Sequence, residues 1–241
     1  MSELADAFDP AMTRMAAAAV FWVLLHFVLA GSPLRWFVVL KVGENGFRGL
    51  FSALSAIGIV WLAVAYRAAT SPDSFYGVRL PDPWMMWMPA VLMLPGVVLF
   101  VGSLTTANPT MVMGERHLAD AEPARGVLRI TRHPMLWSFL LWAVAHFFAN
   151  GDLASYFLFG SIMIVAAGGM GSIDRKQAKR DPEGWKRFAA VTSVVPFVAI
   201  AAGKNRLVFS EIGWNRIGLA AALWIALVAL HPLVIGVSAL P

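Results

Sequence analysis

Residues 129–152 read RITRHPMLWSFLLWAVAHFFANGD, and their reading decides the fold class. Arg129, Arg132 and His133 stand at the mouth of the stretch. After Pro134 it is apolar to Ala149, apart from Ser138 and His146. A helix crossing a bilayer core needs roughly 20 predominantly apolar residues, and the run 134–150 is close to that length. Gly151 and Asp152 then leave almost no loop before a second apolar run, 153–171, so 134–171 is expected to form a tight helical hairpin.

Further runs of membrane-spanning length occupy 13–31, 47–66, 84–107 and 214–237, and a seventh, 188–202, is short and interrupted by Pro196. Of the 241 residues, 59% are hydrophobic and only 14% charged, whereas soluble domains carry about a quarter charged residues. The fold class is therefore all-α: a polytopic membrane helical bundle. It has six transmembrane helices plus a short seventh or re-entrant segment at 188–202, as a single domain over 1–241. No internal repeat or low-complexity linker divides the chain. The absence of cysteine excludes disulfides, iron–sulfur clusters, c-type haem attachment and thiolate ligation. Glu3, Asp6 and Asp9 outweigh Arg14 in the first fourteen residues. That is the wrong charge for a signal-peptide start, so the first apolar run is expected to remain as a span.

The net charge of +5 comes from short loops and reads as a topology signal, with no nucleic-acid partner implied. Arg35, Lys41, Arg48, Arg116, Arg125, Arg129, Arg132, Arg175, Lys176, Lys179, Arg180, Lys186 and Arg187 fall on one side of this layout. Arg14, Arg67 and Arg79 fall on the other. The cation-rich side should be cytoplasmic, which puts the N-terminus outside a bacterial-type inner (plasma) membrane. Lys204, Arg206 and Arg216 join the cytoplasmic set if 188–202 dips without crossing, the reading preferred here. Segment 172–188 is then a cytoplasmic, partly amphipathic connection.

Of the five histidines, His117 sits in a polar loop, and His26, His133, His146 and His231 lie in or at the edge of apolar runs. Ionisable groups in membranes are costly and tend to face the bundle interior. Each is a functional candidate or a neutral imidazole bonding a neighbouring helix. His133 and His146 cannot share one metal ion, because thirteen helical residues separate them by ~20 Å along the axis and ~140° around it. Arg129, Arg132 and His133 form a basic rim. It suits a phosphate, a cofactor carboxylate or haem propionates, and equally a plain positive-inside anchor. Trp22 precedes His26 by four residues and Trp142 precedes His146 by four, while Trp224 lies seven before His231. An imidazole beside a large flat ring suits a planar apolar cofactor, and neutral imidazole is the usual protein ligand of haem iron. By depth from the span midpoints, His26 lies ~6 Å toward the cytoplasm and His146 ~6 Å toward the outside. On depth alone His146 pairs with His231, and His26 with His133. No Glu-x-x-His, His-Glu-x-x-His, Gly-x-Ser-x-Gly or phosphate-loop pattern occurs.

The run GVLRITRHPMLWSFLLWAVAHFFANGD (126–152) followed by TSVVPFVAIAAGK (192–204) resembles the NnrU family of membrane proteins. HFVLAGSPLR (26–35), GENGFRGLFSALSAIG (43–58) and HPLVIGVS (231–238) fit the rest of that family's pattern. The resemblance implies an integral membrane protein linked to denitrification and nitric oxide metabolism. The family also includes zeta-carotene isomerase, a haem b enzyme that isomerises a cis double bond in a carotenoid precursor. Its two axial histidines correspond by motif position to His26 and His146. A cysteine proposed to act in that enzyme's ligand switching has no counterpart in this chain.

A second resemblance is to isoprenylcysteine carboxyl methyltransferases and their phospholipid-methylating relatives. It rests on Arg132-His133-Pro134 before a hairpin and on the ending GWKRFAAVTSVVPF (184–197). In those enzymes the Arg-His-Pro region helps bind S-adenosylmethionine, but their paired glutamates are replaced here by Ile173, Asp174 and Arg175.

Three expectations result. The first is a haem b protein with His26 and His146 as axial and catalytic ligands, and His231 as the rival ligand. Trp22 and Trp142 would pack the macrocycle, Arg35, Arg129, Arg132 and His133 would meet its anionic edge, and an apolar polyene or a diatomic would be bound. The second is an S-adenosylmethionine-dependent methyltransferase at Arg132 and His133. The third is a non-enzymatic accessory protein for respiratory or denitrification membrane partners.

Overall fold

The computed structural model describes residues 9–70 and 83–240. Glu3, Asp6 and Arg79, used above for the signal-peptide and topology expectations, lie outside the described residues. The helices are α1 (Pro10–Leu24), α2 (Leu34–Ala69), α3 (Pro83–Thr105), α4 (Pro134–Asn150), α5 (Leu153–Arg180), α6 (Pro182–Ala190), the single turns α7 (Val198–Ala201) and α8 (Phe209–Ile212), and α9 (Trp214–Val234). Five segments are long and apolar enough to cross a membrane: Pro10–Leu29, Leu34–Ala69, Trp87–Thr105, Leu153–Arg180 and Trp214–Val234. Pro134–Asn150 is a shorter apolar helix. The chain is thus an all-helical, multi-pass membrane bundle. It divides into two compact units, one of Met1–Pro81 with His146–Val165, the other of Asp82–Ala145 with Ala166–Pro241.

In the first unit, Asp9 caps α1 by accepting from the N–H groups of Ala11 and Met12, ahead of Pro10 in the first turn. The helix continues as a π turn over Leu25–Leu29, in which Ala30 N–H reaches back five residues to the Leu25 carbonyl at 3.2 Å. Small residues line its contact with α2. Ala18, Ala19, Ala65 and Ala69 are all buried, and Gly58 lies against the Trp22 ring. Lipid tails give helices no hydrophobic reason to associate, so close backbone approach through small residues provides the packing. The opposite face of α2, with Ile57, Val60 and Val64, is exposed as lipid contact requires.

α2 differs from the expected loop followed by a span at 47–66. Residues 34–42 are already helical, and Gly43, at φ 75°, breaks the helix. Arg35 holds Glu44 across that break at 2.6 and 2.7 Å and lies 4.9 Å over the Phe47 ring, so the expected loop cations Arg35, Lys41 and Arg48 stand on helix. The expected tight hairpin is present. Gly151 takes the left-handed conformation at φ 68°, as a helix-ending glycine does. Asp152 then caps α5 by accepting from Ser155 N–H at 2.8 Å and Ser155 Oγ–H at 2.6 Å.

In the second unit, three apolar clusters form around α3, α6 and α9. Leu118, Leu128, Trp185 and Phe188 make one, Leu99, Val127, Ile130 and Ile212 another, and Val97, Val101 and Ala220 the third. α5 runs on past the expected end at 171 to Arg180, and Asp181 caps α6 through Gly184 N–H at 2.9 Å. Residues 188–202 form no continuous helix. α6 ends at Ala190, residues 191–197 are irregular, and Phe197 sits at φ 67° before the single turn α7. Pro196 cannot donate the N–H that a helix through it would need.

Candidate functional site

The irregular segment serves as a clasp on the motif that opened the sequence reading. Arg132 N–H donates to Ser193 O at 2.9 Å, Phe197 N–H to Ile130 O at 2.8 Å, and Trp137 Nε1–H to Val194 O at 2.8 Å. Thr131 Oγ–H adds a bond to Val194 O at 2.7 Å. Thus Ile130–His133 is held beside 192–197 by backbone bonds, the form of pairing that satisfies irregular backbone buried in protein.

That clasp fixes a polar centre. Asp174, on α5, accepts from His133 Nε2–H at 2.6 Å and from Arg132 through two nitrogens, at 2.6 and 3.0 Å. The His133 side chain is fully buried, and Arg132 also lies 5.6 Å over the Trp185 ring. The Nδ1 atom of His133 is buried without a hydrogen-bond partner. Arg129 belongs to a separate network. It meets both oxygens of Glu211 at 2.7 Å and Asn205 Oδ1 at 2.8 Å, while Gly126 N–H donates to Glu211 at 2.9 Å. Each arginine of the basic rim, and Arg35 with it, therefore already meets a carboxylate within the protein.

Arg129 holds the Glu211 carboxyl below the ordinary carboxylate range, and the Gly126 N–H assists. A depressed folded value means that the pair contributes stability above the unfolded pKa of about 4.3. That contribution is lost as pH falls through the folded value. Glu211→Gln should therefore be less stable than the wild type at pH 7, with the gap closing below about pH 4. Thermal unfolding in detergent across that range measures it, and a gap that persists unchanged at acid pH would refute the assignment.

The remaining candidates fall in two places. His26 and His146 belong to the first unit, and His231 to the second. His26 lies in the π turn, a feature frequent at functional sites. Its Nδ1 donates to the Trp22 carbonyl at 2.8 Å, and its ring lies 4.3 Å from Trp22 and 5.2 Å from Phe51, edge-on to the latter. Because a carbonyl only accepts, this bond puts the lone pair on Nε2, the tautomer a metal ligand requires. His146 packs on Phe159 at 5.1 Å, and Phe159 in turn meets Tyr66 at 6.2 Å. Tyr66 shares a hydrogen bond with Ser155 at 2.9 Å. The indole N–H of Trp22 is buried without a partner. His231 is half-buried, with Nδ1 donating to Val237 O at 2.7 Å, and Trp224 donates to Ala90 O at 3.1 Å. Among the described residues no three His, Asp or Glu side chains converge as a metal site.

Asp174 and Glu211 are the residues the sequence reading did not assign. They lie 41 and 82 positions from the His133 and Arg129 they bind, and no spacing rule links residues so far apart.

Comparison with known proteins bears on both places. The family described as NnrU protein matches residues 14–239. Over 205 residues the chain is 30% identical to the 15-cis-zeta-carotene isomerase, chloroplastic, of Arabidopsis thaliana, covering 82% of this chain and 54% of that protein. The chain thus spans about half the length of that curated relative. No solved structure matches it.

Proposed function

Because the chain belongs to the NnrU family, we propose that it is a six-crossing inner-membrane protein with its N-terminus outside, holding haem b through His26 and His146. The observation that carries this reading is the His26 geometry: a π turn, Nδ1–H committed to the Trp22 carbonyl, and the aromatic rings of Trp22 and Phe51 beside the imidazole. The chemistry of the donor set fits. A porphyrin would bring its own four nitrogens, so the protein would need to offer only one or two imidazoles, His26 and His146, and no carboxylate cluster. His26 and His146 also share one compact unit, whereas His133 and His231 belong to the other.

What the bound group supplies is a redox-active iron able to coordinate a diatomic or the double bond of a polyene. The chain's own residues do the rest. The Trp22 carbonyl orients His26 and strengthens Nε2 as a donor, Phe159 orients His146, and the Trp22 ring packs apolar surface beside His26. Arg35, which already holds Glu44, would be one cation of the same unit for a propionate. The relative's name points to isomerisation of a carotenoid-like polyene, and the family to nitric oxide metabolism.

The absorption spectrum of the detergent-purified protein, oxidised and then reduced with dithionite, tests this. A Soret band with sharp reduced α and β bands is expected, lost in His26→Ala and His146→Ala. A protein colourless even after reconstitution with haem would overturn it. The methyl-donor reading at Arg132 and His133 would then gain ground, favoured by the unpartnered Nδ1 of buried His133.

A further inference from the structure

The second unit carries a half-open groove of about 520 Å³ whose walls include Pro95, Val98 and Leu99 of α3, Trp137 of α4, Trp224 of α9, and Phe197. That volume lies in the range of small-ligand sites. Every lining side chain is apolar except for the two indole N–H groups, and both are turned to the protein. Trp137 donates to Val194 O and Trp224 to Ala90 O. Pro95 and Pro196 have no N–H, and Phe197 N–H is spent on Ile130 O. The groove thus offers ring faces and hydrocarbon, and it would penalise any occupant bringing polar atoms into it.

The chain that leaves its Phe197 end carries unneutralised positive charge. The turn α7 begins at Val198, and Lys204 N–H closes on Ala199 O at 2.9 Å, so Lys204 stands within one turn of the groove. Lys204 and Arg206 are both exposed and make no ion pair among the described residues, whereas neighbouring Arg129 is neutralised by Glu211. An apolar slot ending at two open cations matches a molecule with a hydrocarbon chain and an anionic head. A partner helix does not fit. A helix about 10–12 Å across would fill this volume with roughly one turn.

We propose that the groove holds one acyl chain of an anionic glycerophospholipid of the surrounding bilayer, with its phosphate against Lys204 and Arg206. The site is independent of haem binding. Two cations near a membrane surface favour the anionic lipid by roughly thirtyfold.

The full chain, reconstituted in phosphatidylcholine vesicles, tests this with acyl-brominated phosphatidylglycerol or phosphatidylcholine as the quencher of tryptophan fluorescence. The quenched component assigned to the groove is the difference between wild type and W137F/W224F. Brominated phosphatidylglycerol should quench it at about one-thirtieth the mole fraction that phosphatidylcholine requires. K204E/R206E should abolish that preference while leaving chain quenching intact. A221F, at an exposed lining position, should remove the component while helix content by circular dichroism stays unchanged. Equal half-quenching by the two lipids, or a groove component that A221F leaves untouched, would overturn the proposal.

Discussion

Asp174→Ala should destabilise the second unit by about 3 kcal/mol, because it strands the Arg132 guanidinium, whose side chain is only 15% exposed. The Asp174 carboxylate is the shared acceptor for Arg132, at 2.6 and 3.0 Å, and for His133, at 2.6 Å. Both donors are anchored independently of it. Arg132 is tied by its backbone to Ser193, and His133 by its backbone N–H to Thr131 Oγ at 3.2 Å. The guanidinium is also held by Thr192 O at 3.3 Å and by the Trp185 ring, so it remains in place when the carboxylate is removed. Chemical unfolding in detergent measures the loss. Asp174→Asn should lose less, since an amide oxygen still accepts one hydrogen bond. An all-apolar replacement, Arg132→Met with His133→Leu and Asp174→Leu, should recover much of the loss, because apolar replacement of a buried ion pair is often neutral or stabilising. An Asp174→Ala protein within about 1 kcal/mol of wild type would show that the centre is solvated and contributes little.

Gly102→Ala, the addition of one methyl group, should cost about 1–3 kcal/mol. A Cβ on Gly102 would overlap both γ-carbons of Val127, and Val127 is 1% exposed in the cluster with Leu99, Ile130 and Ile212. Val127 belongs to the short helix Gly126–Arg129, whose ends are fixed by Glu211. Its backbone therefore cannot move away without disturbing that network, and rotating its side chain leaves Val127 Cβ itself 3.1 Å from the added methyl. Pairing the change with Val127→Ala should restore part of the stability, and the double-mutant cycle should show a coupling of at least about 1 kcal/mol. Additive losses would mean that α3 yields instead.

The comparison of sequence and structure turns on which interactions are local. Apolar run length, dense apolar composition and Gly151-Asp152 are local signals, and the helices, their order and the tight hairpin were legible from them. The ends of those helices were less so. The run 47–66 is extended back to Leu34 by an Arg35–Glu44 pair across the Gly43 break, and α5 continues to Arg180 through residues that hydropathy treats as loop. Charge satisfaction, more than apolarity, decides where those two helices end.

The candidate site divides along the same line. That His26 stands beside the Trp22 ring follows from the sequence alone, because residues four apart share a helix face, whereas the ring that His146 packs on, Phe159, comes from the next helix. That His26 sits in a π turn with its Nδ1–H given to Trp22 is a matter of backbone conformation, which no residue pattern in the run announces. Arg129, Arg132 and His133 read in sequence as one basic rim, since a run of cations shows its charge but not its partners. Only the tertiary structure brings Asp174 and Glu211 from 41 and 82 residues away, divides the rim into two neutralised centres, and folds 192–197 into a clasp on 130–133. A chain this apolar determines by itself that its helices belong in a membrane. Its few charges, costly to bury unpaired, take partners from distant parts of the chain, and that choice is made only when the helices pack.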